Sequence, residues 1–209
     1  MAVDPVIRRA GWRNHLTHRF RHVALALGLL VVAPQAAADL TQGELLAGAC
    51  GGCHGHAGVS TAASMPSIAG FDRRYGARVL REFRSGVRFS TIMGRLMAGY
   101  TPGEMAQLAA YYSEQPWQGA NFTADPALAA RGLRIHEARC EECHEQHGRY
   151  QDRDMPRTAG QQPEYLRMQL FARRDHPEGM QQPRRMREAI AALSDEDIIA
   201  LSHFLASQE

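Results

Sequence analysis

Hydrophobic residues return at three- and four-residue intervals along most of this chain, and no stretch sustains the alternation of a strand. Asp72 to Ser85 places Tyr75, Val79, Leu80 and Phe83 on one helical face, and Pro163 to Arg174 has the same character. Thr41-Gln42-Gly43-Glu44 reads as a capping box that starts a short helix, and Asp125-Pro126 starts its counterpart, proline being tolerated at a first helical position. Thr101-Pro102-Gly103-Glu104 and Ser194-Asp195-Glu196-Asp197 cap two amphipathic helices ending near Gln115 and Gln208. The expected fold class is all-α.

The helices fall into two matching sets. Cys50 to Tyr75 overlies Cys140 to Tyr165 at a constant offset of 90, and further on Met93 falls on Met186 and Thr101 on Ser194 at an offset of 93. A repeat of this length predicts duplicated domains, 39–116 and 125–209, joined by a linker at 117–124 that tucks in Trp117 and Phe122. Three extra residues lie between Tyr165 and Met186. Each half is small enough to need help beyond its own core.

Residues 1–38 stand apart from the repeat. Five arginines precede an apolar run from Val23 to Ala33, and Ala36-Ala37-Ala38 is a small-residue cleavage pattern, so the segment reads as a secretory signal cut near Ala38. The run is well short of the roughly 20 residues that span a bilayer, so no membrane span is expected in the mature chain. Arg8-Arg9 raises a twin-arginine signal, but the residues after it favour the general secretory route. The whole chain holds 24 basic residues, all arginine, against 22 acidic ones; without the presequence the balance is 19 to 21, a net of −2. That balance gives no reason to expect nucleic acid as a partner.

All four cysteines lie in Cys50-Gly51-Gly52-Cys53-His54 and Cys140-Glu141-Glu142-Cys143-His144. Two thiols separated by two residues, followed at once by histidine, suit covalent attachment of haem c, with His54 and His144 reaching the iron. Zinc would want its two cysteine pairs about 15 to 20 residues apart, whereas Cys53 and Cys140 are 87 positions apart. A thioredoxin-like pair would want a βαβ setting that is lacking. Methionine is a soft, neutral sixth ligand that favours Fe(II). Met93 and Met186 coincide in the repeat and are the candidates, with Met97 and Met180 next. His56, His136, His147, His176 and His203 do not match between halves and read as surface or satisfied core residues.

Both halves resemble class I cytochromes c. In that family a proline carbonyl twelve residues after the ligating histidine holds its ring, which assigns that role to Pro66 and Pro156; the alternative is that they only shape a turn, and the repeated spacing favours the haem role. Ser90-Thr91-Ile92-Met93-Gly94-Arg95 with Gly99-Tyr100, and Leu133-Arg134-Ile135-His136 before the second motif, look like the cytochrome subunit of flavocytochrome c sulfide dehydrogenase. Ala159-Gly160-Gln161 and Tyr165-Leu166 also fit it. The resemblance implies a periplasmic dihaem electron-transfer subunit, not an enzyme on its own and with no flavin on this chain. Its partners would be an FAD-containing flavoprotein that oxidises sulfide and a downstream acceptor such as a small cytochrome c or an oxidase. The alternative is a free-standing tandem dihaem carrier from a quinol-oxidising complex to a terminal oxidase.

Overall fold

Side-chain caps start most of the helices. The computed structural model describes residues 41–209 and shows no strand among them; the secretory-signal reading of 1–38 lies outside the described residues. Thr41 accepts the Glu44 N–H to start α1 (Gln42–Ala47), and α2 (Gly51–His54) is the single turn of the first cysteine motif. Asp72 accepts two N–H groups at the head of α3 (Arg73–Ser85), which ends on left-handed Gly86. After α4 (Met93–Met97) comes α5 (Pro102–Glu114), started by a complete Thr101/Glu104 capping box. The second half has α6 (Pro126–Arg139) capped by Asp125, α7 (Pro163–Asp175), α8 (Arg184–Ala191) and α9 (Asp195–Ala206) with a complete Ser194/Asp197 box.

Two of these helices were not expected from the sequence. α4 is only five residues long, too short to show a period; it begins because Ser90 Oγ accepts the N–H groups of Ile92 and Met93 at 3.2 and 2.9 Å. α8 is strongly polar, with Ile190 its buried residue, and starts just after Pro183. The three extra residues of the second half form a single 3-10 turn, Pro177–Gly179.

The repeat extends to the hydrogen bonding of the loops. Gly58 O accepts from Ile68 and Ala69, and Gly148 O accepts from Thr158 and Ala159, at 2.7 to 3.1 Å. The loops are then tied to the last helices: Gly70 N–H donates to Tyr112 O and Gly160 N–H to Leu205 O, both at 2.8 Å. In each half the first helix meets the last at a glycine. A Cβ on Gly43 would lie 2.8 Å from Gln107 O, and one on Gly132 would lie 2.2 Å from Ala200 O and 2.6 Å from Phe204 Cβ. Glycine costs helix propensity, and this close backbone approach is what its use permits.

Around α9 the core is Leu166, Leu193, Ile198, Leu201, Phe204 and Leu205; the first half has a smaller one around Ala47, Leu108 and Tyr112. The described residues form one compact unit, and the halves are joined by directed polar contacts. Gln161 and Gln162 reach across to Ser67 and Ser60, Tyr165 N–H donates to Ala63 O, and Gln151 holds Gly70 O. Trp117 packs between Phe71 and Arg157, and Phe122 stacks on His203, so the connecting aromatics are half-buried as expected.

Gly132→Ala should destabilise the protein by about 1–3 kcal/mol, because the added methyl meets backbone that cannot swing aside. Gly103→Ala, at an exposed position with no close neighbour, should stay within about 0.5 kcal/mol. Denaturant melts of the two variants against wild type measure the contrast.

Candidate functional site

In each motif one helical turn presents both thiols and the imidazole. His54 N–H donates to Cys50 O at 3.0 Å and His144 N–H to Cys140 O at 2.8 Å. None of the four cysteines is in a disulfide; Cys53 and Cys143 are exposed, Cys50 and Cys140 half-buried. Burial pushes the Cys140 thiol up to about 11 and raises Cys50 as well. No cluster of three or more metal-ion ligands occurs among the described residues. Two free thiols beside an imidazole within one five-residue turn fit thioether attachment of haem.

The two histidines are held differently. His54 Nδ1 lies 2.9 Å from Pro66 O. Since a carbonyl only accepts, Nδ1 carries the proton and Nε2 keeps its lone pair for a metal. The corresponding contact to Pro156 is not made: His144 Nδ1 is buried without a hydrogen-bond partner. The residue after each histidine accounts for the difference. Gly55 adopts φ 78, ψ 174, a region only glycine occupies readily. Its counterpart is Glu145, and the second copy turns instead through left-handed Gln146, with left-handed His147 matching left-handed Ala57 of the first, leaving His144 at φ −98, ψ 61. Burial pushes the His144 imidazole down to about 4, so it is neutral near pH 7, the form that binds metal.

The methionines sort by burial. Met97 and Met105 are 2% and 0% exposed, and their repeat counterparts Ile190 and Ile198 are buried too, so they pack the core. Met180 is also buried, but its counterpart Val87 is half exposed. Met93 opens α4 and Met186 lies in the first turn of α8, both half-buried at equivalent positions. Arg173 has no carboxylate partner among the ion pairs of the described residues, and burial with nearby Arg88 lowers its pKa, a setting that suits an anionic substituent such as a haem propionate. Of the unmatched histidines, His56 and His176 are exposed and His203 accepts from Asp125 N–H. His136 departs from the satisfied-core expectation: it is fully buried against Phe204 and His147, with Glu141 3.0 Å from Nδ1 but misaligned for a hydrogen bond. Sequence reasoning did not find Ser90, Gly55 or the crossing glycines; a comparison of where the copies differ would have exposed Gly55 against Glu145.

The cytochrome c family model matches residues 129–209. Cytochrome c4 from Pseudomonas aeruginosa is 32% identical over 191 residues, covering 87% of this chain and 94% of the relative. The chain belongs to the cytochrome c4 family. A crystal structure of reduced cytochrome c4 from Pseudomonas stutzeri superimposes with a TM-score of 0.73 at 28% identity, over 80% of this chain and 97% of that one. The thiosulfate dehydrogenase electron acceptor of Stutzerimonas stutzeri is 31% identical, covering 88% of this chain and 91% of the relative. The cytochrome subunit of sulfide dehydrogenase from Chlorobaculum tepidum is 42% identical, but over 72 residues, 34% of this chain and 64% of that subunit. The sulfide dehydrogenase resemblance is therefore corrected to membership of the cytochrome c4 family, with the subunit a partial relative. The protein is an all-α dihaem c-type cytochrome with two class I domains, two covalent haems c and an electron-carrier role.

Gly55→Ala should strain the first haem loop severely, since its Cβ would lie 1.9 Å from Val59 O. Glu145→Ala, on an exposed side chain at the equivalent position, should change stability by no more than about 0.5 kcal/mol. Thermal melts of the two holoproteins followed by circular dichroism check the asymmetry.

Proposed function

We propose that this cytochrome c4 homologue is an exported, periplasmic carrier that takes electrons one at a time from a dehydrogenase oxidising an inorganic sulfur compound and passes them to a downstream acceptor. His54 with Met93, and His144 with Met186, are the axial ligands of this reading, and Cys50, Cys53, Cys140 and Cys143 the thioether residues. Pro66 holds the first histidine. Low-spin haem with both axial positions filled supplies reversible one-electron exchange and no open position for a substrate. The protein fixes the His54 imidazole through Pro66 O and presents the thiols for the thioethers.

The observation that carries the sulfur reading is the double likeness to an electron acceptor of thiosulfate dehydrogenase and to a cytochrome subunit of sulfide dehydrogenase. Apolar side chains close to Met93 in sequence support a partner there: Val87, Phe89, Ile92 and Leu96 are all half or more exposed, Phe89 at 70%. Clustered exposed apolar residues of this kind mark interaction sites. The FAD-containing flavoprotein of a sulfide dehydrogenase is the donor that the Ser90 to Tyr100 segment favours. The free-standing carrier between a quinol-oxidising complex and a terminal oxidase is the second reading, favoured by the near full-length match to cytochrome c4.

Stopped-flow mixing distinguishes them. Rapid reduction of the oxidised holoprotein by a sulfide-reduced flavoprotein or by thiosulfate dehydrogenase supports the first reading; reduction by a quinol-oxidising complex alone supports the second. For the ligands, Met93→Ala and Met186→Ala should each remove the methionine–iron absorption of one haem, about half of the total signal. Met97→Ala should leave both haem spectra intact and cost about 2–5 kcal/mol of stability as a core truncation.

A further inference from the structure

The peptide that holds His54 is itself held from the other half of the molecule. Its carbonyl, Pro66 O, takes the His54 Nδ1 hydrogen bond at 2.9 Å. Its amide, Ser67 N–H, donates to Gln161 Oε1 at 2.8 Å, and Gln161 Nε2 returns a bond to Ser67 O at 2.9 Å. Gln161 and Ser67 are 2% and 1% exposed, so water does not compete. One unbroken chain of hydrogen bonds therefore runs from the imidazole, through a single peptide unit, to a side chain of the second half.

The second half has no equivalent. Gln161 corresponds in the repeat to Phe71 and Ser67 to Arg157, and His144 Nδ1 has no acceptor at all. The asymmetry gives the chain a consequence for redox chemistry. An acceptor on a peptide N–H polarises the carbonyl of the same peptide, strengthening each bond in such a chain by about a tenth to a third. A stronger acceptor at Nδ1–H makes the imidazole a more basic ligand, and a more basic ligand favours Fe(III).

We propose that Gln161 is a positioning residue for the first haem, lowering its reduction potential from the neighbouring domain through the Pro66–Ser67 peptide and so setting the two haems apart. The inference rests on His54 being an iron ligand. It also makes docking of the halves an electronic matter: separating them would release the peptide and raise the first potential.

Gln162 provides the control, because it also bridges the halves, donating to Ser60 O at 2.6 Å, but its side chain does not touch the His54 peptide. The experiment is spectroelectrochemical titration of the holoprotein carrying Gln161→Met or Gln162→Met, with proton NMR of the histidine Nδ1–H. Methionine keeps the length of glutamine and lacks a strong acceptor. With Gln161→Met, the reduced-to-oxidised ratio of one haem at fixed applied potential should rise about two- to threefold. The His54 Nδ1–H resonance should move upfield while the second haem stays in place, and Gln162→Met should leave both potentials unchanged. Unmoved potentials in Gln161→Met, or an equal shift in Gln162→Met, overturn the relay alone. Absence of His54 from the hyperfine-shifted ligand resonances of the oxidised wild type overturns the ligand reading and the relay with it.

Discussion

In both halves the first helix crosses the last at a glycine, and the backbone approach this permits sets the frame from which the rest hangs. Gly43 lies against Gln107 and Tyr111, and Gly132 against Ala200 and Phe204. Just beyond each crossing the chain enters its cysteine motif, so the position of the thiols is fixed by a helix contact to which the glycine brings no side chain. The segments that follow fold back onto the last helix through Gly70 to Tyr112 and Gly160 to Leu205. Each haem site is thus suspended between two points on one helix, and between those points most of the chain is loop. Small domains bury a modest share of their surface, and here the halves also share polar contacts across their boundary.

Those contacts break the symmetry of the duplication. Gln161 and Gln162 hold backbone of the first half, while Phe71, at the position matching Gln161, packs on Trp117. Gly55 allows the first histidine to reach its proline carbonyl, whereas the second copy, with Glu145 there, turns through left-handed Gln146. The copies have kept both cysteines and the histidine of the motif and diverged in what surrounds them. For an electron carrier this is a useful division. Attachment chemistry sets what is bound, and the hydrogen bonds around the ligands set its potential.

The family and the partner rest on different parts of the molecule. Membership of the cytochrome c4 family comes from matches that run the length of a relative. Likeness to the sulfide dehydrogenase subunit is stronger in identity but confined to 72 residues. A match confined to part of each chain reports a shared segment more than a shared assembly. The exposed apolar residues Phe89, Ile92 and Leu96 are a separate matter, because haem ligation does not require them on the surface.

The sequence by itself determined the haem chemistry and the helical class, because both are local: two thiols and an imidazole within five residues, and caps such as Asp72, Thr101 and Ser194 that act within one turn. Comparison of the repeats also singled out Met93 and Met186 as equivalent positions, since equal offsets record equal positions even where helical period says nothing. Tertiary structure decided that Met97 is core, because burial depends on what packs over a side chain: Met97 is 2% exposed where Met93 is half-buried. It decided that His54 has an acceptor and His144 has none, as that depends on a backbone conformation open to Gly55 and closed to Glu145. It also placed Gln161 on Ser67, a contact across 94 positions, where no spacing rule reaches and only the docking of one half on the other brings the groups together.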